Sequence, residues 1–142
     1  MKVRCLNNTG HSLPATYFSI GYTRQSEFEL VVGQTYSVYG MCLSRGVLEY
    51  LIDPQADAKP NWYPAVLFEV KDAGIPQSWR FSFNARNEEY GVPAIWGYEE
   101  LVSSENHFDG LGERDVEALR IFFRRRVEME AEADVADTPP SA

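Results

Sequence analysis

The stretches TYSVYGMCL (35–43), GVLEYLID (46–53) and WYPAVLFEV (62–70) decide the fold that this sequence predicts. All three are rich in aromatic and β-branched residues and are followed by residues typical of turns, which is the pattern of connected antiparallel strands. Gly46 can supply the positive φ angle of a tight hairpin between the first two strands. We therefore expect a strongly bent antiparallel β-sheet or a partly open small barrel.

Further strands are expected in KVRCL (2–6), ATYFSIGYT (15–23) and WRFSF (79–83), which are rich in aromatic and β-branched residues or alternate in polarity. In the third central stretch Pro64 lacks an amide donor, so its strand is expected to run from Ala65 to Val70. The side chains expected in the core lie on the apolar faces of the predicted elements. They are Leu48, Tyr50, Ile52, Leu67, Trp79, Phe81, Leu119, Phe122 and Phe123.

From Glu113 onward the sequence changes to a helical repeat. Apolar side chains recur at intervals of three or four residues, which predicts an amphipathic C-terminal helix over residues 113–128. They are Val116, Leu119, Phe122, Phe123 and Val127. The predicted class is therefore α+β, with residues 1–128 as a single domain. Residues 129–142 are acidic and have little to bury, so we expect a disordered tail there.

The net charge of −8 is unevenly distributed along the 142 residues. Residues 1–127 hold all 13 Lys and Arg and 16 of the 21 Asp and Glu, a balance of −3, and residues 128–142 hold the other five acids. The total charge therefore does not indicate a basic partner for the folded part. Because no apolar run is long enough to cross a membrane and the first ten residues lack the apolar core of a secretory signal, we expect a cytoplasmic protein.

The sequence contains no recognisable catalytic motif. His11 and His107 are far apart and are expected at the surface, and neither a metal-ligand spacing nor a nucleophile motif occurs. Cys5 and Cys42 are expected to be buried free thiols. We therefore predict no catalytic residue, no metal ligand and no cofactor.

Three carboxylates provide an enzymatic alternative. Asp53, Glu69 and Asp72 flank predicted strands, and if they met at one rim of the sheet they would be able to act as acid and base or hold a hard cation. Acidic residues at strand ends are more often solvated. A small metal-dependent hydrolase is thus an alternative rather than the leading hypothesis.

Four aromatic residues are the predicted partner-binding residues: Trp62, Tyr63, Trp96 and Tyr98. Tryptophan and tyrosine are common anchors of protein interfaces, although small barrels also use them to fill their cores. Successive residues of an extended strand point to opposite faces, so at least one of Trp62 and Tyr63 is expected to be exposed. This exposure is the sequence's main indication of a binding surface.

A basic side of the predicted helix provides a second alternative. Arg120, Arg124, Arg125 and Arg126 would be able to contact nucleic-acid phosphates. Nearby glutamates supply ion-pair partners within the same helix, and the folded part is slightly acidic overall. Nucleic acid is therefore not the favoured partner.

The central region resembles small bacterial and phage proteins with a Src-homology-three-like β-barrel. VGQTYSVYG, EYLIDPQ and WYPAVLFEV carry this resemblance, which covers residues 28–72. It implies a barrel-like fold and a non-enzymatic role, and some proteins of this kind look like toxin-immunity proteins. The leading hypothesis is a non-enzymatic cytosolic protein-interaction module that occludes a protein partner, with a toxin as one candidate partner.

Overall fold

The computed structural model of the protein describes residues 1–84 and 91–137. Eight strands lie in this part of the chain: β1 (Lys2–Cys5), β2 (Thr35–Ser37), β3 (Gly40–Ser44), β4 (Val47–Ile52), β5 (Asn61–Pro64), β6 (Phe68–Asp72), β7 (Arg80–Phe83) and β8 (Ala94–Gly97). Four α-helices accompany them: α1 (Ala15–Phe18), α2 (Glu99–Ser103), α3 (Glu105–Glu113) and α4 (Val116–Asp137).

The strands form two antiparallel sheets that share one hydrophobic core with the helices. The small sheet has the order β2-β1-β6, and the large sheet has the order β5-β4-β3-β8-β7. The predicted α+β class with a C-terminal helix is therefore confirmed. The sheets do not close into a barrel in the residues that the structure describes.

The stretch 35–43 is divided between the two sheets instead of forming one strand. β2 ends at Ser37 and β3 begins at Gly40, and the two residues between them are buried. The Val38 amide donates to the carbonyl of Met1, beside the small sheet, and the Tyr39 amide donates to the carbonyl of Leu51 in the large sheet. Because each buried amide finds its acceptor in a different part of the protein, the chain changes sheets without leaving a donor unsatisfied.

The stretch 62–70 returns the chain from the large sheet to the small one. β5 includes Trp62 and Tyr63 and ends at Pro64, whose missing N–H cannot continue the ladder. Ala65–Leu67 form a 3₁₀ helix, and β6 then begins at Phe68. The prediction of one strand from Ala65 to Val70 is therefore wrong, because the proline ends one strand instead of preceding another.

Gly40 is required by the packing of a helix onto the large sheet. Gly40 and Gly97 are paired across β3 and β8, and the side chain of Leu101 from α2 lies over both. A Cβ atom on Gly40 would come within 2.4 Å of Leu101 Cδ2, and one on Gly97 would come within 2.6 Å. Two facing glycines therefore bring α2 into direct contact with the backbone of the sheet.

β4 is buried on both of its faces. Tyr50 and Ile52, which were predicted to face the core, are buried, and so are Val47, Glu49 and Leu51 on the opposite face. This second face was not part of the predicted core, but Leu101 of α2 lies over neighbouring Gly40 and the Tyr22 hydroxyl contacts Glu49. Glu49 is consequently a buried carboxylate.

α4 is longer than predicted and is turned differently about its axis. Ala118, Phe122 and Met129 face the core, whereas the other apolar residues of the predicted stripe are exposed or half-buried. The exposed ones are Val116, Phe123 and Val127. The inward face also carries Arg125 and Arg126, which bind carboxylates of α2 and of the chain after β4.

Residues 129–137 are helical, so the prediction of a disordered tail is wrong for this segment. The indole N–H of Trp79 donates to Met129 Sδ at 3.3 Å, and the Tyr39 hydroxyl donates to Glu130 Oε1 at 2.9 Å. These contacts attach the acidic end of the helix to the sheets. Residues 138–142 lie outside the described part of the chain.

The predicted strand at 15–23 and part of the predicted core list are also wrong. The expected strand at 15–23 is instead a short helix, α1, followed by a turn, and Tyr17 packs inward and donates to the carbonyl of Leu48. Among the predicted core residues, Leu67, Trp79 and Phe122 are buried, and Leu48 and Leu119 are half-buried, but Phe81 and Phe123 are largely exposed. Phe81 and Phe123 therefore lie on the surface, although their spacing is that of core residues.

A buried ion pair joins α4 to the end of β4. Arg126 Nη1 donates to Asp53 Oδ2 at 2.5 Å, and only 1% of the Asp53 side chain is exposed. The same carboxylate accepts the backbone amides of Asp57 and Ala58, which shapes the loop after β4. One side chain therefore fixes both a loop and a helix.

Replacing Arg126 with methionine should lower the free energy of unfolding by about 3–5 kcal/mol, because Asp53 would keep a buried charge without its cation. Urea unfolding measures this loss. The matched control is Arg120→Met, whose exposed partner Glu117 lies on the same helix, and this change should cost less than about 1 kcal/mol. Equal losses in the two variants would show that the pair with Asp53 is not structurally important.

Candidate functional site

One face of the large sheet exposes a cluster of apolar side chains at its β7 edge. The strand register aligns Met41, Trp96 and Phe81 in one row across β3, β8 and β7, and Leu43 and Phe83 in the next row. The rings of Phe81 and Trp96 are stacked, with centroids 5.0 Å apart and an interplanar angle of 30°. We call these five residues the aromatic face.

The aromatic face is open to solvent at the edge of the sheet. Phe81 is 56% exposed and Phe83 is 64% exposed, whereas Met41, Leu43 and Trp96 are half-buried. In the described residues β7 pairs with β8 alone, so its outer backbone groups face away from the sheet. Exposed apolar clusters and uncovered edge strands are both typical of sites of protein association.

The four predicted partner-binding residues are not grouped on one surface. Trp96 belongs to the aromatic face, and Trp62 is half-buried against Phe108 on the opposite face of the sheet, with ring centroids 5.7 Å apart. Tyr63 is 4% exposed and Tyr98 is 1% exposed. Of the pair Trp62 and Tyr63, Trp62 is therefore the more accessible residue but is half-buried, and both tyrosines belong to the core.

A groove of about 750 Å³ lies on the opposite face of the large sheet, beneath α2 and α3. Its floor contains Glu49 and Cys42, which are paired across β4 and β3, together with Ile95 and Ser82 from the next strands. Its walls include Trp62 and residues of α3. We call this cavity the Glu49 groove.

Among the residues that the structure describes, the buried carboxylate of Glu49 has no countercharge. The residue is 7% exposed, and its carboxylate accepts a hydrogen bond of 2.5 Å from the Tyr22 hydroxyl. Burial raises the pKa of Glu49, and the Tyr22 hydrogen bond partly offsets this by favouring the ionised form. Within the described residues Glu49 forms no ion pair, and Oε1 accepts no hydrogen bond.

The predicted nucleic-acid residues are all engaged by carboxylates. Arg124 and Arg125 bind Glu100 of α2. Arg120 binds Glu117, and Arg126 binds Asp53. Arg125 Nη1 also binds Glu128 at 3.0 Å. Positive charge that is already neutralised in this way is poorly placed to replace the counterions of a phosphate backbone.

The carboxylates of the enzymatic alternative have separate partners. Asp53 is buried against Arg126, Glu69 binds Arg4 at 3.2 Å, and Asp72 accepts the amide of Gly74. In the part of the chain that the structure describes, no group of three His, Cys, Asp or Glu residues is suited to hold a metal ion. Each of these three carboxylates therefore has a local structural role.

The cysteines are buried free thiols, as predicted. Burial raises the pKa of both Cys5 and Cys42, so both thiols stay protonated at neutral pH. The nearby negative charge of Glu49 also raises the pKa of Cys42. The floor of the Glu49 groove therefore offers a carboxylate and an unreactive thiol.

His107 is buried, so the prediction of a surface position is wrong for this residue, whereas His11 is exposed as expected. The Nε2 atom of His107 lies 2.6 Å from the hydroxyl oxygen of Tyr98, and the buried Nδ1 atom of His107 has no partner in the described residues. Gly110 and Leu111, three and four positions later, are also buried, and this helical spacing was the available signal.

Comparison with known proteins finds no matching family model, no matching curated protein and no matching solved structure. The resemblance to barrel-forming proteins over residues 28–72 therefore remains a prediction. Among the helices of the described residues, none combines the length and the apolar character needed to cross a membrane.

His107 should make the protein less stable in mildly acidic solution. Burial lowers the pKa of His107 below its ordinary value, with Glu100 acting in the opposite direction. The unfolded chain therefore binds a proton first, and the free energy of unfolding should fall as the pH drops below about 6.5, by at most about 1.4 kcal/mol per pH unit.

Urea unfolding of the wild type and of His107→Gln across this pH range measures the effect. The glutamine variant should lack this part of the slope. The raised pKa of Glu49 has the opposite effect on stability, but it is present in both proteins and cancels in the difference. Identical slopes would mean that His107 titrates normally.

Proposed function

We propose that this chain is a non-enzymatic, cytosolic protein-binding module whose contact surface is the aromatic face. The stacked, largely exposed Phe81 on the Trp96 ring is the observation that carries the proposal. A largely exposed Phe ring is unfavourable in water and favourable at an interface, because burying a Phe side chain contributes about 1.5–3 kcal/mol.

The proposed partner presents an extended segment with apolar side chains at alternate positions. Such a segment would add a strand beside β7, where the outer backbone donors and acceptors supply main-chain hydrogen bonds. Its apolar side chains would then lie beside Phe81 and Phe83, which occupy alternate positions of the edge strand. The polar residues Arg80 and Ser82 would remain on the other face.

Occlusion of a toxin, as by an immunity protein, is the specific form of this function that we propose. The resemblance over residues 28–72 supports that form, and so does a binding surface made of side chains without catalytic chemistry. Hydrolysis and nucleic-acid binding receive less support, because the carboxylates and arginines that they would use already bind one another or other residues of the chain.

The double variant Phe81→Thr, Phe83→Thr should lose partner binding while keeping the fold. Threonine favours strands, so the change removes apolar area without breaking β7. The experiment captures proteins from a host lysate, identifies a candidate by mass spectrometry, and remeasures its affinity for purified protein. The matched control is Val116→Thr, Val127→Thr, which removes exposed apolar area from α4 instead.

The proposal predicts a one-to-one complex with the purified partner, weakened at least about tenfold by the β7 variant and unchanged by the α4 variant. Protection of the β7 amides from hydrogen exchange in the complex would locate the contact. Equal affinity of the wild type and the β7 variant would overturn the assignment. If the protein instead dimerises as its concentration rises, and the β7 variant does not, then the partner of the aromatic face is a second copy of this chain.

A further inference from the structure

We propose that the Glu49 groove binds an organic cation, namely an ammonium group carried on an apolar stem. The site is distinct from the aromatic face, since Glu49 and Trp62 lie on the opposite side of the large sheet. The inference is independent of the proposed function and does not require a protein partner.

The first argument is the unbalanced charge on the groove floor. Glu49 is buried in β4, and in the part of the chain that the structure describes it is bound by a neutral hydroxyl, that of Tyr22, and not by a cation. Buried carboxylates in proteins are normally paired with a cation. Asp53, which is buried, and Glu100, which is half-buried, both bind arginines. Glu49 is the exception among these three, and it lines a cavity large enough for a ligand.

The second argument is the charge of the groove rim. Glu105 and Asp109 lie one turn apart on α3 and line the same cavity, and neither forms an ion pair in the described residues. Arg45 is the basic residue of the described lining, and its guanidinium donates to the carbonyl of Ser19. The lining therefore carries more negative than positive charge and complements a cationic ligand.

The third argument is the aromatic wall beside the carboxylate. Trp62 is opposite Leu51 in the strand register and Pro64 is opposite Glu49, so Trp62 is the diagonal neighbour of Glu49 on the same face. Diagonal neighbours are about 7–8 Å apart, which is within reach of a tryptophan ring. Phe108 extends the wall from α3. An ammonium group can therefore lie between a carboxylate and an indole, with its apolar stem against the rings.

The composition of the site favours an organic cation over a metal ion. Calcium requires six to eight oxygen ligands and magnesium requires an octahedral set. The described residues contain no suitable group of metal-ligating side chains. Small-molecule sites are mostly apolar and contain a few polar groups, and the Glu49 groove has one buried carboxylate between aromatic walls. Its volume of about 750 Å³ lies in the range that is usual for such sites.

The experiment titrates the full chain with 2-phenylethylammonium. Calorimetry measures the affinity, and NMR follows the indole signal of Trp62. A neutral ligand of the same shape, 2-phenylethanol, measures the apolar contribution alone. Nα-acetyl-lysine amide tests whether the ammonium group can come from a peptide side chain. Saturable binding of either cation, at least about tenfold tighter than binding of the alcohol, is the expected result.

Glu49→Gln tests the carboxylate, since glutamine keeps the shape and still accepts from Tyr22. It should weaken binding of the cation at least about tenfold and leave binding of the alcohol unchanged. The control is Glu69→Gln, which changes a half-buried carboxylate of the small sheet, far from the groove lining, and should bind like the wild type. Trp62→Leu, a second variant, should weaken binding of both ligands.

Three results would overturn the proposal: no saturable binding of either cation, equal affinity for the cation and the alcohol, or unchanged affinity in the folded Glu49→Gln variant. The Phe81→Thr, Phe83→Thr variant should bind the cation normally, because its changes lie on the other face. Failure of the partner experiment would therefore leave this site unaffected, and failure of the cation experiment would leave the aromatic face unaffected.

Discussion

The ion pair between Asp53 and Arg126 is the constraint on which the arrangement of this protein depends. It joins the residue after β4 to the inward face of α4, and its carboxylate also holds the loop that follows. Edge-on packing of Tyr39 against Phe122 and the contact of Trp79 with Met129 extend the same attachment along the helix. Breaking a buried pair of this kind leaves an uncompensated charge, so the helix cannot turn to bury a more apolar face without a large cost.

The position of α4 determines which parts of the large sheet stay open. Because the helix is held at the Tyr39 and Trp79 end of the strands, it does not cover Phe81 or Phe83. The opposite face is covered by α2, but only where Gly40 and Gly97 allow Leu101 to approach. The remainder of that face becomes the Glu49 groove. Two candidate binding surfaces thus arise from one sheet whose two faces are each only partly covered.

The sequence predicts the local features of this fold better than the long-range ones. Gly46 has the positive φ angle that the turn sequence predicts for the β3–β4 hairpin, and Arg45 before it also has one. The helical repeat after residue 113 is also correct, but its inward face is not, because Arg125 and Arg126 turn inward to carboxylates distant in sequence. No local pattern predicts the change of sheet at Val38, which depends on an acceptor at Met1.

The candidate binding surfaces were predictable only in part, for the same reason. Trp96 and Trp62 were identified by residue type, and both are half-buried beside open surfaces. Phe81 was assigned to the core because alternation marks a face without showing whether another element covers it. Glu49 was left out of the predicted core, since charge in an alternating pattern normally indicates exposure. Its burial involves Tyr22, whose hydroxyl donates to the carboxylate across 27 positions of the sequence.

The most direct test of this account is the pKa of the Glu49 carboxyl group, measured by ¹³C NMR titration of the free protein and of the protein saturated with 2-phenylethylammonium. Burial without a cation predicts a pKa above the ordinary value of glutamate in the free protein, and a decrease when the ammonium group binds. An ordinary or lowered pKa in the free protein would contradict the account, because it would mean that the carboxylate is solvated or already paired.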